Sequence, residues 1–435
     1  MLMSSISSIR PTITTYLRFN PLKPIIDNFV FKLHYRITVI LLLFACVMVC
    51  AREYFGDHIK CMADKGVPEH VINTYCFFMA TFTIVRHYNE SLLQAEILPH
   101  PGVGPILETD DTLHHTYYQW VPFALFLQAM CFYLPHYIWK KKEGGRIKAL
   151  VDGLQLASLA LHNEEEDMVV RGDTIPCLST LDKRLEIIRK DIILRLKITR
   201  TWSFWLVGME VMNLLHLIFQ IWLTDIFLNG HFIGLGPKIM DGNFDDIADP
   251  LETVFPKVTK CLFHKYGPSG SLQQHDALCV MALNIVHEKI YSVLWFWFLI
   301  LLILSILAVI WRFISWCVYR NPRFTKVNAI FFWQPKITRK NEDSYKLDPQ
   351  NVIRVVNGCQ FGDWLFLYYL AKNMNGFVFQ QLFTKLAEEL AKKEVAAMDD
   401  DDNKGAEPIL LKHTEVDYDN ETLPLKSIYD IKAFN

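Results

Sequence analysis

YSVLWFWFLILLILSILAVIWRFISWC, residues Tyr291–Cys317, decides the fold. A helix crosses a ~30 Å hydrocarbon layer with about 20 residues, and this stretch is longer than that and predominantly apolar. Three other stretches pass the same test: Leu33–Ala51, Tyr117–Trp139 and Trp202–Leu228. Four transmembrane helices follow, and the chain reads as an all-α polytopic membrane protein with a disulfide-tied extracellular lobe and a cytoplasmic helical domain.

Composition agrees. Of 435 residues, 51% are hydrophobic, and mean hydropathy is +0.17 because the apolar excess is concentrated in those four stretches. A net charge of −2 names no partner, and no basic patch with interleaved aromatics supports nucleic-acid binding. Trp120, Trp139, Trp202, Trp295, Trp311 and Trp316 sit near span edges, where amphipathic rings settle at the lipid–water boundary. The first stretch reads as a retained span. The segment before it is long for a signal-peptide n-region, and Cys50-Ala51-Arg52-Glu53 offers no A-x-A-like cleavage site.

Lys and Arg near the span ends set the orientation. The N-terminal segment carries Arg10, Arg18, Lys23, Lys32 and Arg36. The middle loop opens with Lys140-Lys141-Lys142 and closes with Arg189, Lys190, Arg195, Lys197 and Arg200. Arg320, Arg323 and Lys326 follow the fourth span. The loops between are biased to acids, with Asp57, Asp64, Glu69, Glu108, Asp110 and Asp111 in the first. Both termini and residues 140–201 are therefore expected in the cytoplasm of a plasma-membrane protein. Residues 52–116 and 229–290 are expected outside.

The ten cysteines fit that topology. Cys61 and Cys76 lie in one outer loop, Cys261 and Cys279 in the other. Loops this size bury little core, and an oxidising compartment lets disulfides supply rigidity. Four cysteines permit three pairings, and spacing does not choose among them. Cys46, Cys50, Cys131 and Cys317 read as small packing residues in or beside spans, and Cys177 and Cys359 as cytosolic thiols. The chain has no CxxC or His/Cys cluster of metal spacing, and His114-His115 reads as a solvated juxtamembrane pair. No metal, cofactor or catalytic residue is expected.

Within the spans, Glu210, Asn213 and His216 form a polar stripe, continued by Gln220. A carboxylate in mid-span is costly unless it meets water or a partner. The stripe either lines a wet conduit or ties helices together, for instance by pairing Glu210 with a basic side chain near a cytoplasmic end. Pro122 and Pro135 predict a kink in the second span. Beneath the membrane, Asp182–Arg200, Phe361–Leu370 and Gly376–Lys393 show helical apolar spacing within a cytoplasmic domain at 318–393. The Asp399–Asp402 run and the polarity around it predict a disordered acidic tail over 394–435. Tyr75–Val85 is too short to span and is expected to pack in the outer lobe.

Tyr117-Tyr118-Gln119-Trp120-Val121-Pro122-Phe123, at the mouth of the second span, resembles the signature of the innexins, the invertebrate gap-junction proteins. Around it stand Phe31-Lys32-Leu33-His34-Tyr35-Arg36-Ile37-Thr38, Val71-Ile72-Asn73-Thr74-Tyr75-Cys76 and Tyr133-Leu134-Pro135-His136. The resemblance implies a gap-junction subunit, in a ring of itself or other innexins (an octamer in the well-characterised case), docked to the hemichannel of an apposed cell and passing ions and metabolites. It also implies the pairs Cys61–Cys279 and Cys76–Cys261, and a pore funnel at about Met1–Asn20 within the segment 1–32. Asn89-Glu90-Ser91 is an N-glycosylation sequon in the first outer loop. A glycan on the docking face would favour an undocked hemichannel of pannexin type. A non-conducting adhesion or organiser protein is the third reading, and the outer loops lack the cysteine motifs of tetraspanins and claudins.

Overall fold

Each apolar stretch is a helix, and each helix outruns the stretch that announced it. The computed structural model describes residues 24–56, 59–63, 66–79, 81–88, 98, 100–107, 109–151, 168–170, 173–175, 182–183, 185–190, 196–241, 251–319, 321 and 348–402. The first span is built from α1 (Phe29–Lys32), a π-helical turn over Leu33–Thr38 and α2 (Val39–Phe55). The second is α4 (Val121–Glu143), preceded by a 3-10 turn at Tyr117–Trp120. The third is α6 (Leu196–Phe227) and the fourth α8 (Ala282–Val318). α8 has 37 residues, about 55 Å at 1.5 Å each, so its first turns stand beyond a 30 Å layer. Residues 282–290, expected within the outer loop, are thus the helical first turns of α8.

Exposed apolar side chains cover the outside of this bundle, among them Ile40, Phe44, Phe126, Leu215, Phe219 and Ile303. In water such a surface would aggregate; in a bilayer it is the solvated face. Pro122 sits in the first turn of α4, where its missing N–H costs no hydrogen bond, so no kink originates there. Pro135 alone lies inside the helix.

The outer lobe adds an element the sequence did not announce. Strands β1 (Lys60–Ala63), β2 (Thr81–Ile84) and β3 (Thr112–His115) come from the first outer loop. A short hairpin of β4 (Met168–Val170) and β5 (Asp173–Ile175) belongs to the middle loop. Strands β6 (Val258–Tyr266) and β7 (Leu272–Val280) form a hairpin from the second outer loop. That hairpin inserts into the first loop's strands to give one antiparallel sheet, ordered β1-β7-β6-β2-β3. Helix α3 (Glu69–Met79) packs beside it, burying Ile72 and Cys76. Three of these strands have four residues, too short to show a period-2 pattern in sequence.

On the cytoplasmic side stand α5 (Arg146–Val151), α9 (Pro349–Gly358), α10 (Phe361–Asn373) and α11 (Gly376–Asp402), while α7 (Leu235–Asp241) lies at the outer end of the third span. α10 is buried on nearly every side, and its Gln360–Asp363 capping box satisfies the first turn. Gly362 lets it approach α6 closely: a Cβ there would sit 3.2 Å from Arg200 Cα. The chain divides into two units at residue 387. Of the second, the described part is the distal half of α11, which continues as helix through Asp402, into the stretch expected to be a disordered tail. Residues 1–23, Asn89, Cys177 and 403–435 lie outside the described residues.

Candidate functional site

Two disulfides tie the outer loops to each other. Cys61 on β1 lies directly opposite Cys279 on β7 and is bonded to it; Cys76 on α3 is bonded to Cys261 on β6. Each bridge therefore joins the loop before the second span to the loop before the fourth. The sulfurs of Cys61, Cys76 and Cys279 cluster within 4.8 Å, but all are consumed in these bridges, so none is a thiolate for a metal.

The motif Tyr117-Tyr118-Gln119-Trp120-Val121 is the joint between this lobe and the membrane. The last carbonyls of a helix have no partner within it. Those of α3 are taken by the motif: Tyr118 Oη donates to Phe77 O at 2.9 Å, and Gln119 Nε2 donates to Phe77 O at 2.5 Å and Phe78 O at 3.3 Å. Tyr117 Oη donates to Val254 O of the second loop at 3.3 Å, and Val121 is fully buried beneath. Trp120 stays exposed at the boundary. From the fourth span, Asn284 Nδ2 donates to Pro256 O at 2.9 Å.

His114 and His115 separate. His114 is exposed on β3, whereas His115 is buried and bonds Thr83 Oγ1 on β2 at 2.9 Å. The pair is thus not solvated as a pair, because alternate residues of a strand face opposite sides. Burial, with the neighbouring His114, pushes the His115 pKa down to about 4.

Inside the bundle, the π-turn carries two inward groups. His34 Nε2 lies 2.8 Å from Ser305 Oγ on the fourth span, and Trp297 Nε1 donates to Thr38 Oγ1 at 2.9 Å. Gln128 on α4 donates to Thr224 on α6 at 2.7 Å. Asn213 is buried in the bundle and His216 packs against Phe132, with ring centroids 5.1 Å apart.

Glu210 has a cationic partner that the sequence reading did not name. Arg312 on the fourth span donates to it twice, from Nε at 2.8 Å and Nη2 at 2.5 Å. Both side chains are largely buried, so this is a bidentate interhelical ion pair. The pair links the third span to the fourth. Asn28, at the head of the first span, donates to the same carboxylate at 2.8 Å. Next to it, Asp27 lies 3.6 Å from Lys32 and 3.8 Å from His136, whose ring stacks on Tyr35. Arg312 was legible only as a lone cation in an apolar run, and its partner lies 102 residues away. A cavity of about 1010 Å³ opens between α6 and α8 beside this pair, lined by Phe204, Val207, Phe313 and Trp316.

Four membrane helices, two outward loops sewn into a single disulfide-tied sheet, and inward segments gathered into helices define a class: four-span membrane proteins with a disulfide-tied outer lobe. The family profile described as Innexin matches residues 27–390. The chain is 43% identical to innexin inx7 of Drosophila melanogaster over 389 residues, 89% of this chain and 85% of that protein. It is 38% identical to innexin inx2 of Drosophila melanogaster over 376 residues (86% and 93%) and 37% identical to innexin inx2 of Schistocerca americana over 375 residues (85% and 95%). The chain belongs to the innexin family: it is a gap-junction channel subunit, a multi-pass protein of the plasma membrane at cell junctions.

Proposed function

We propose that eight copies close into a ring around a wide aqueous pore, that residues 1–20 form its constriction, and that two rings from apposed cells dock through the lobe described above. The observation that carries docking is the shared sheet. Surfaces that meet across a gap bind best when little is left to order on contact. A sheet drawn from both outer loops and locked by two bridges is preorganised in that way. The β6–β7 hairpin presents the polar turn 267–271 with Gln273 and Gln274 exposed beside it. The ring would use heterologous contacts that close by rotation. The reading assigns no catalysis and no cofactor, and its partners are this chain or other innexins and the lipid around them.

Dye transfer between paired expressing cells tests docking, and particle imaging in nanodiscs tests the ring. Eight-fold particles that pair end to end are expected. Uptake by single cells without transfer between pairs would instead establish the undocked hemichannel, the reading that a glycan at Asn89 on the docking face would favour. The acid-biased outer loops would give a mild cation preference, and reversal potentials in asymmetric salt that show anion preference would remove that part.

A further inference from the structure

Residues 25–28 are held by a closed circuit of polar contacts that passes through the third span, the fourth span and the cytoplasmic helix α10. Asn28 Nδ2 donates to Glu210, and Arg312 donates twice to the same carboxylate. Arg312 also bonds Tyr369 on α10. Four residues on, Asn373 Nδ2 donates to the Tyr369 carbonyl at 2.8 Å. The Asn373 side chain then closes the circuit on the main chain of Ile25, donating to its O at 2.8 Å and accepting from its N at 2.6 Å. Asn373 is 2% exposed, and a buried amide that satisfies both groups of one residue fixes that residue's position and direction.

Asn28 has two tasks. Its Oδ1 accepts from Phe31 N at 2.6 Å and so caps α1, while its amide reaches Glu210. The chain therefore enters the first span from a pivot that is bonded to the cytoplasmic domain on one side and to the third and fourth spans on the other.

We propose that this circuit is the clasp that sets how the N-terminal segment enters the pore, and that Asn28 and Asn373 are positioning residues for conduction. A shift of α10 against the spans is transmitted through Asn373 to the direction of the preceding chain, which couples the cytoplasmic domain to the constriction. This rests on residues 1–20 forming the constriction. Asn373→Ala removes both bonds to Ile25. Asn28→Ser keeps the helix cap, since Ser caps as well as Asn, but is too short to reach Glu210. Neither change strips the buried ion pair, so both variants should fold.

The test uses the full chain carrying Ser8→Cys, expressed as undocked hemichannels in inside-out patches. The rate at which a charged methanethiosulfonate reagent alters unitary current is followed, with the chain lacking Ser8→Cys as background. Removing two hydrogen bonds shifts a held-versus-released equilibrium roughly tenfold, so a change of that order in modification rate is expected for Asn373→Ala, and a smaller one in the same direction for Asn28→Ser. If modification alters current but both variants react within about twofold of the parent, no such shift has occurred and the clasp is wrong. If cysteines at Ser5, Ser8 and Thr12 all react without altering current, the constriction reading fails first and takes the clasp with it.

Discussion

Replacing Glu210 by Gln keeps the shape of the side chain and removes its charge. Arg312 would then remain in place with 15% of its side chain exposed, having lost two charge-assisted hydrogen bonds at 2.8 and 2.5 Å. Breaking a buried ion pair by removing one partner costs about 3–5 kcal/mol, chiefly because the surviving charge stays desolvated. The contact with Tyr369 relieves part of this, so the lower end, about 3 kcal/mol, is expected here. Removing both charges together in Glu210→Met with Arg312→Met leaves no stranded ion and should come out near neutral. The assay is thermal melting of the detergent-solubilised full-length protein, followed by size-exclusion fluorescence. The single substitution should lower the midpoint by on the order of 5 °C, and the double variant should recover most of it. If the single variant melts with the parent, or the double variant melts below the single, the pair is not the tie that the geometry makes it.

Acidification should loosen the outer lobe through His115. The group is neutral in the fold with a pKa near 4, while the unfolded chain takes up its proton near 6.5. Stability is therefore complete above about 6.5, falls as pH drops through that window by about 2 kcal/mol at pH 5, and stops falling below about 4. His115→Gln should remove this part of the pH dependence, which melting at pH 7.5 and 5 would measure. Tyr118→Phe removes one of the two side-chain donors to Phe77 O and should cost about 1 kcal/mol; adding Gln119→Ala should cost more than the two singles predict, because each donor covers in part for loss of the other. Gly236→Ala places a Cβ 2.2 Å from the Trp295 ring and should cost about 1–3 kcal/mol by overpacking, with a smaller ring at 295 restoring the loss. Equal melting temperatures for Gly236→Ala and the parent would contradict the close approach.

The spans were readable because a bilayer imposes a length and a polarity on each helix separately, so the information is local. Leu33–Ala51 and Tyr291–Cys317 needed no partner to be recognised. The clasp was not readable for the opposite reason. Asn28, Glu210, Arg312 and Asn373 are single polar residues spread over most of the chain, and none has a neighbour in sequence that marks it. Glu210 could be flagged as a residue needing something, since an unpaired mid-span carboxylate is expensive, but what it needed lay 102 positions away. The sheet fell between these cases. The disulfide cysteines located the lobe, yet β1 and β2 are four-residue strands, β1 pairs with a strand from the other loop, and strand patterns that short carry no register. The π-turn at Leu33–Thr38 is likewise invisible in a run that satisfies any apolar helix; it shows only in the way His34 and Thr38 both meet the fourth span.

The lobe and the spans are also mechanically continuous, and this bears on how a junction conducts and docks with one structure. β3 ends at His115 and the second span begins at Tyr117; β7 ends at Val280 and α8 begins at Ala282. β1 starts at Lys60, shortly after α2 ends at Phe55. Two of the four spans thus run almost directly into strands of one sheet, the first span reaches β1 after four residues, and β6 is bridged to α3 by Cys76–Cys261. A connection of one or two residues between a strand and a helix has few conformations to absorb a rotation. Tilting a span must therefore move the sheet, and a sheet clamped against its counterpart on another cell must resist that tilt. At the cytoplasmic end the spans run into no sheet: they are joined by side chains, Arg200 to Asp363 and Arg312 to Glu210. Motions that alter conduction while leaving a docked junction intact are for that reason expected at the inner ends of the helices, where the chain enters the first span.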